Sequence, residues 1–344
     1  MAQLRSLATV SGFTAISRVL GFLRDMLIAK FVGANLTTDA FFTAFRFPNM
    51  FRRIFGEGAF NAAFVPLFAK KLENDGKRSA VEFGSHTFSM LALVLGLASL
   101  IAIPCMGWIM SLVAPGFKAK LDTGWVSSGQ SQIVSAEHAI PISGAKSVYL
   151  VYESKGEIAP ELSFPKANLI SMPGERDIFQ KIKRLFKPAT TVGESVPLWN
   201  YRSAKQVTLT EATDGGSGFR LLDKSVVEFP LPKKHKFEKL ELEAIAAPAL
   251  GGEPVRFQVY RTNPKTFPLT VTLGRITFIY LLCMALAAHL SGVLNTVRIF
   301  GMPAAAPIML NAIFIIGLVF FVPMMLDYRG HVLAWCVFIA GFIQ

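Results

Sequence analysis

Apolar and polar positions alternate on two different scales along this chain. Near both ends, apolar residues run almost unbroken, as in "FSMLALVLGLASLIAIPCMGWIMSLVAP" (88–115), longer than the roughly 20 residues a helix needs to cross a bilayer. These runs predict helices over 7–33, 38–66 and 86–114, then over 267–296, 304–325 and 331–344. Over about 118–264 the period falls to two. The stretches "KSVYLVYES" (146–154), "KQVTLTEA" (205–212), "KSVVEFPLP" (224–232), "KLELEAI" (239–245) and "VRFQVYRT" (255–262), separated by Pro, Gly, Asn and Asp, predict half-buried antiparallel strands. One helix is predicted there, "GERDIFQKIKRLF" (174–186), with acids in its first turn, bases in its last and Ile178, Ile182, Leu185 and Phe186 on one stripe. Its apolar stripe is expected to pack on the neighbouring sheet rather than on a membrane surface. The expected fold class is an α-helical polytopic membrane protein of about six transmembrane helices with an inserted β-rich soluble domain. Its parts are transmembrane helices 1–3 over 1–117, the insert over 118–264, and transmembrane helices 4–6 over 265–344.

Composition supports the membrane assignment. Of 344 residues 52% are hydrophobic and 17% charged, against about a quarter charged in a soluble domain, and the mean hydropathy is +0.45. The net charge of +12 is unevenly placed: 118–265 holds 21 basic and 16 acidic residues, and the remainder 14 and 7. Nucleic-acid binding is set aside, because much of that outer excess sits in short loops and inside the helices, where topology and an anionic ligand account for it better. Four basic residues in "KKLENDGKRSA" (70–80) predict a cytoplasmic loop, hence a cytoplasmic N-terminus and a "VAPGF" (113–117) on the periplasmic side; Arg298 then falls inside as well. No cleavable signal peptide is expected, since the first apolar stretch is too long and lacks a small-residue cleavage site. Val332–Gln344 is 13 residues, or about 20 Å of helix, and is expected to be cut off mid-helix. Cys105, Cys283 and Cys336 all lie in apolar runs and are read as packing residues.

Three charges then need a reason. "SRVLGFLRDMLIAKFVG" (17–33) carries Arg18, Arg24 and Asp25, and each charge at a membrane centre costs about 2.5–3.5 kcal/mol on insertion scales. Arg18 and Asp25 lie two helical turns apart on one side, with Arg24 off that face. In "TDAFFTAFRFPNMFRRIFGEGAF" (38–60), Asp39, Arg46 and Arg53 share a seven-residue stripe, with Arg52 adjacent and Glu57 one turn beyond Arg53. Pro48 leaves the phase beyond it open. Two readings stand. The charges reach the headgroups or neutralise one another, as Arg53 and Glu57 are placed to do, or they line a polar cavity that binds an anion. Arginine suits the second, because its planar fork grips phosphate oxygens in two-point contact.

"SRVLGFLRDMLIAKFVGAN", "TDAFFTAFRFPNMFRRIFGEGAFNAAFVPLF", "VAPGF" and "LSGVLN…MPAAAPIMLN" resemble the MurJ (MviN) family of lipid II flippases, within the multidrug/oligosaccharidyl-lipid/polysaccharide exporter superfamily. The likeness covers about 1–118 and 265–344. It implies a two-lobe fold of fourteen helices around a cavity that opens to each side in turn, of which this chain holds the N-terminal lobe. It implies lipid II, the undecaprenyl-diphosphate-linked peptidoglycan precursor, as substrate. It matches Arg18, Arg24 and Arg52 to cavity arginines that bind the diphosphate and Asp39 to an acid near the outward gate, with Asp25 assigned to the gate beside it. The stripe alone favours Arg53 over Arg52, and the resemblance decides for Arg52. Two departures stand out: the second lobe, needed for transport, is missing, and about 145 extra residues fall where "VAPGFK" would join "NPKTFPLTVTLGRITF". The extra residues carry no family signature.

Weaker signals are read conservatively. "LDTG" (121–124) has the aspartic protease triplet, but Lys120 stands where that motif needs an apolar residue and no second copy follows. His289 in "AAHLSGVLN" is expected to be a hydrogen-bonded packing residue, and Arg275 an interface anchor. No Gly-rich phosphate loop, zinc spacing or nucleophile–base pair is found. The expected function is therefore transport for cell wall biogenesis by alternating access in the bacterial inner membrane, with no bond made or broken, no cofactor, a coupling ion left open, and membrane lipids but no nucleic acid among its partners. The alternatives are a membrane-tethered periplasmic binding module and an exporter of another polyprenyl-linked sugar.

Overall fold

A computed structural model describes residues 2–56, 59–122 and 255–344, together with 124–125, 145 and the strands given below. The chain forms two compact units, Met1–Pro115 with Lys265–Gln344, and Gly116–Pro264.

In the first unit, α1 (Ala2–Phe31) stops at a glycine. Gly33 has φ +77 and its N–H donates to Ile28 O at 3.0 Å, a left-handed closure that a Cβ would oppose. Asn35 then opens α2 (Leu36–Gly56). Its Oδ1 accepts the N–H groups of Thr37 (2.9 Å) and Thr38 (3.2 Å), and its Nδ2 donates to Val32 O at 2.7 Å.

The next two predicted helices come out differently. The run 38–66 extends further than predicted: α2 runs to Gly56 and α3 (Ala59–Asn74) carries helix on to Asn74, with 57–58 outside the described residues. The predicted loop 70–80 is helical on both sides of Asp75, with α4 (Gly76–Ala102) starting at Gly76, φ +79. Surface charge masked the helical period there. Lys70, Glu73, Lys77 and Arg78 are exposed, while Leu72 and Ala80 pack with Phe64 and Phe68. The run 86–114 is also broken. Pro104 has no N–H for the preceding turn and its ring crowds it, so α4 ends at Ala102 and α5 (Met106–Val113) starts afresh.

The unit is completed by α6 (Thr266–Thr296), by α7 (Gly301–Ile316), which continues through one π-helical turn at Gly317–Phe321, and by α8 (Arg329–Ile343). Among the described residues, four helices are long and apolar enough to cross a membrane: Gly76–Ala102, Thr266–Thr296, Gly301–Phe321 and Leu326–Ile343. Of the six predicted spans, the first two, α1 and α2, are not among them; in α2, Asp39, Arg46, Arg52 and Arg53 all fall within 21 residues.

The central element is α6, which packs against α2, α3, α4, α5, α7 and α8. Such crowding requires small residues where backbones meet. A Cβ on Gly274 would stand 3.1 Å from Met106 Sδ of α5; one on Gly341 of α8 would stand 2.8 Å from the Tyr280 ring and 3.0 Å from Cys283 Cβ. The hydroxyls of Thr270 and Thr296 donate to the carbonyls of Thr266 (2.7 Å) and Gly292 (2.9 Å) one turn back, which satisfies both within the helix. The largest core among the described residues joins Ile28, Phe41, Ala44, Leu273, Tyr280, Phe314 and Leu333 from five helices.

In the second unit, the main sheet centres on Val255–Tyr260, Ser147–Ser154 and Val226–Pro230, all antiparallel, flanked by Leu121–Asp122 and Arg220–Asp223. A four-stranded sheet orders Ile140–Pro141, Phe237–Leu242, Ala167–Ser171 and Ser195–Pro197. Two short pairs join Ser131–Gln132 to Ile245–Ala246 and Glu161–Leu162 to Val207–Thr208. Alternation places the strands at 147–154, 226–230 and 255–260 within their predicted stretches, while Phe237–Leu242 starts ahead of its predicted 239–245. The predicted helix 174–186 lies outside the described residues. Val148, Leu150, Val226, Phe257 and Val259 are buried. Across the sheet, Ser147 Oγ (2.7 Å) and Tyr149 OH (3.1 Å) donate to Glu228 Oε1. Burial, and then the Glu228 charge, push the Tyr149 phenol up to about 12.

Two outcomes follow from this packing. Gly341→Val should push α8 off the Tyr280 ring and lower stability by about 1–3 kcal/mol, seen as a lower thermal midpoint in detergent. Gly12→Val, with nothing within 4 Å of its added Cβ, should leave the midpoint unchanged. In the sheet, Arg256, then Gln258 and the Gly124 N–H, hold the Asp122 carboxyl well below the usual carboxylate range. A depressed folded-state value gives stability that is complete above the unfolded value near 3.9 and is lost as pH falls through the lower, folded one. Asp122→Asn should therefore speed exchange of the Lys120 amide, bonded to Val259 O at 2.7 Å, already at neutral pH, whereas the unaltered chain should show that loosening only in strong acid.

Candidate functional site

The charges that set the membrane problem are distributed over two faces of α1. Ser17, Gly21 and Arg24 follow one another at helical spacing on the face that packs on α7. Arg18 and Asp25 are exposed. Asp25 is partnered by its chain neighbour: Arg24 Nε and Nη2 donate to Asp25 Oδ1 at 2.9 and 2.8 Å. The remaining terminal nitrogen of Arg24, Nη1, donates to Asn311 Oδ1 of α7 at 2.9 Å. Its guanidinium carbon stands 5.7 Å from the centre of the buried Phe314 ring, within cation–π range. The Arg24 side chain keeps 25% of its surface exposed and the Asp25 side chain 62%, so the pair opens outward while its Asn311 side is buried.

This arrangement can hold an anion. A guanidinium carries five N–H donors in one plane, and three of them are occupied by Asp25 and Asn311. The Nε and Nη2 donors converge on a single carboxylate oxygen, and the same edge has the parallel pair of N–H groups with which arginine takes two oxygens of a phosphate.

The other predicted site residues are placed as follows. Asp39 is exposed in the first turn of α2, where the helix dipole favours an acid, and its N–H donates to Asn35 O at 3.1 Å. Arg52 lies in the last turns of α2, and its side chain, like that of Arg53, is outside the described residues. Arg46 is exposed, and so are Arg275 on α6 and Arg298 in the α6–α7 connection, where φ is +64. His289 is a packing residue: 1% exposed, it places Nε2 3.0 Å from Gly84 O and its ring 4.4 Å from that of Phe64. The Asp122 of "LDTG" is bound up with Arg256 and Gln258 within its own sheet. Among the described residues no group of His, Cys, Asp and Glu is arranged to hold a metal.

Asn311 was assigned no role from the sequence. It is the single polar side chain between Ala304 and Met325, and that isolation was the available signal, since a polar group at membrane depth is costly unless it is used. Arg329 also carried no expectation. Its Nη1 donates to Phe31 O at 3.0 Å and so ties the start of α8 to the end of α1.

Comparison with known proteins bears on the family of the chain. The sequence profile described as lipid II flippase MurJ matches 28–127 and 245–344, leaving out 128–244. A probable lipid II flippase MurJ of Rhizobium tropici is 45% identical over 120 residues, 34% of this chain and 22% of that protein. One of Rhizobium meliloti (strain 1021) is 47% identical over 118 residues, with the same shares. The lipid II flippase MurJ of Burkholderia cenocepacia is 42% identical over 116 residues, again 34% and 22%. The matched stretches thus span under a quarter of the length of these relatives. Together with the four apolar helices among the described residues, the match makes this a membrane protein.

The packing role of His289 has a measurable consequence. His289→Leu should remove the bond to Gly84 O and the ring contact with Phe64 and cost about 1 kcal/mol of stability, read as a lower thermal midpoint, with no change in any anion binding at Arg24.

Proposed function

This chain belongs to the lipid II flippase MurJ family, and from that premise we propose that it contributes one lobe of an alternating-access transporter that carries lipid II across the bacterial inner membrane for cell wall biogenesis. Arg18, Arg24 and Arg52 receive the diphosphate, and Asp25 and Asp39 act at the gate. The N-terminus is cytoplasmic, and 118–264 is a β-rich periplasmic insert carried between α5 and α6. Transport makes and breaks no bond, so the work of the residues is electrostatic. They replace the water that a diphosphate loses on leaving the aqueous phase, since a stranded polar group in hydrocarbon costs several kcal/mol. A second lobe supplies the facing wall.

The observation that carries this reading is the Arg24 guanidinium. It is fixed by a buried amide on one side and paired on the other with a carboxylate whose side chain is 62% exposed, so an oxyanion arriving from the cavity meets a formed, occupied fork. Membership of the family supports a lipid-linked diphosphate as that oxyanion, and the gap in the match at 128–244 supports the insert.

Binding of farnesyl diphosphate to the chain in lipid nanodiscs tests this. Arg24→Ala should weaken binding about tenfold or more, the loss of a charge-assisted contact, and affinity should fall as salt rises from 0.05 to 0.5 M. Arg298→Ala, in the α6–α7 connection, should bind as the unaltered chain does. Equal losses from both substitutions, or binding indifferent to salt, would defeat the assignment.

A further inference from the structure

Asn311 is 5% exposed, set in the apolar run "PIMLNAIFII". A buried amide is costly unless both its ends are bonded, and both are. Oδ1 accepts from Arg24 Nη1 at 2.9 Å, while Nδ2 donates to Ser17 O at 3.0 Å and lies 3.4 Å from Ser17 Oγ. Turning the amide over would set its NH2 against the guanidinium donors and its carbonyl against Ser17 O, so the partners select one orientation. Gly21 leaves room for this contact: a Cβ there would stand 3.6 Å from Nδ2.

The Arg24 donors are therefore divided between two partners of different character. Nε and Nη2 face Asp25, an exposed carboxylate that a competing oxyanion can replace without burying or stranding it. Nη1 faces Asn311, whose release would strand a buried carbonyl. A free arginine side chain has rotamer freedom that binding must remove, and a partner that removes it beforehand raises affinity without touching the ligand.

We infer that Asn311 is a positioning residue for the anion site: it anchors Arg24 through Nη1 so that the Nε and Nη2 edge stays presented, with Asp25 occupying that edge until a lipid-linked diphosphate displaces it. The inference rests on the reading of Arg24 as a diphosphate receptor. It adds a residue that does not itself contact the ligand, so Asn311 must act through Arg24 alone.

A double-mutant cycle separates this from a structural role. Farnesyl diphosphate binding to the chain in nanodiscs is measured for the unaltered chain, Asn311→Leu, Arg24→Ala and the pair together. Leucine keeps the branched shape and removes both hydrogen bonds; Asn311→Ala serves if the bulkier leucine variant does not fold. Asn311→Leu is expected to weaken binding about tenfold, and the double variant to bind no more weakly than Arg24→Ala. Unchanged binding in Asn311→Leu, or a further tenfold loss when it is added to Arg24→Ala, overturns the inference while leaving Arg24 in place. Undiminished binding in Arg24→Ala overturns the diphosphate reading itself, and the inference with it.

Discussion

The membrane unit depends on how closely other helices can approach α6. A helix that crosses a bilayer gains little from the hydrophobic effect by touching another, because lipid tails are as apolar as its neighbours. Contact must be won by dispersion, which falls away steeply with small gaps. Here it is secured where glycine lies under a methionine pair, as at Gly274, or under an aromatic ring, as at Gly341. Gly330 does the same between Thr37 of α2 and Leu273 of α6. α1 packs chiefly on α7, which itself reaches α6, at the margin of the same core, and it is there that the charges of α1 lie.

The Arg24 cluster obeys a second rule of the same solvent: a charge is tolerated if its donors are assigned. Asp25 neutralises the guanidinium, Asn311 takes a further donor, and Phe314 offers its ring face. The Asn311 amide in turn is satisfied by Ser17. What looked in the sequence like isolated charges is thus a hydrogen-bonded chain running from backbone to amide to guanidinium to carboxylate.

The helix positions were legible wherever apolar periodicity ran without interruption, as in α6 and α7. They were misread where the helix carried charge on its outer face, as at Lys70–Arg78, or where a single proline inside an apolar run was not given its backbone cost, as at Pro104. The strands at 147–154 and 255–260 were legible because one face is buried and the other polar. Arg24 and Asp25 could be singled out because charge in an apolar helix is conspicuous. Their pairing could not, since it depends on the adjacent side chains turning toward each other, and the Asn311 link joins residues 287 apart in sequence. Helical spacing speaks only for residues within one helix.

The way the second unit begins and ends bears on how the chain as a whole can be assembled. Leu121–Asp122 runs antiparallel to Val255–Tyr260, Arg256 bridges Asp122 and Glu153, and Thr262 Oγ1 reaches Gly116 O at 3.4 Å. The polypeptide therefore leaves and returns at nearly the same point. Closing a flexible loop costs entropy that grows with the logarithm of its length, and α5 and α6, which pack together at Gly274, are separated by more than 150 residues of chain. Once the ribbon at the base of that unit has zipped, the contour between the two helices shrinks to a few residues on each side. Kinetically, α5 and α6 then meet as sequence neighbours, and the length carried between them no longer enters the cost of their contact.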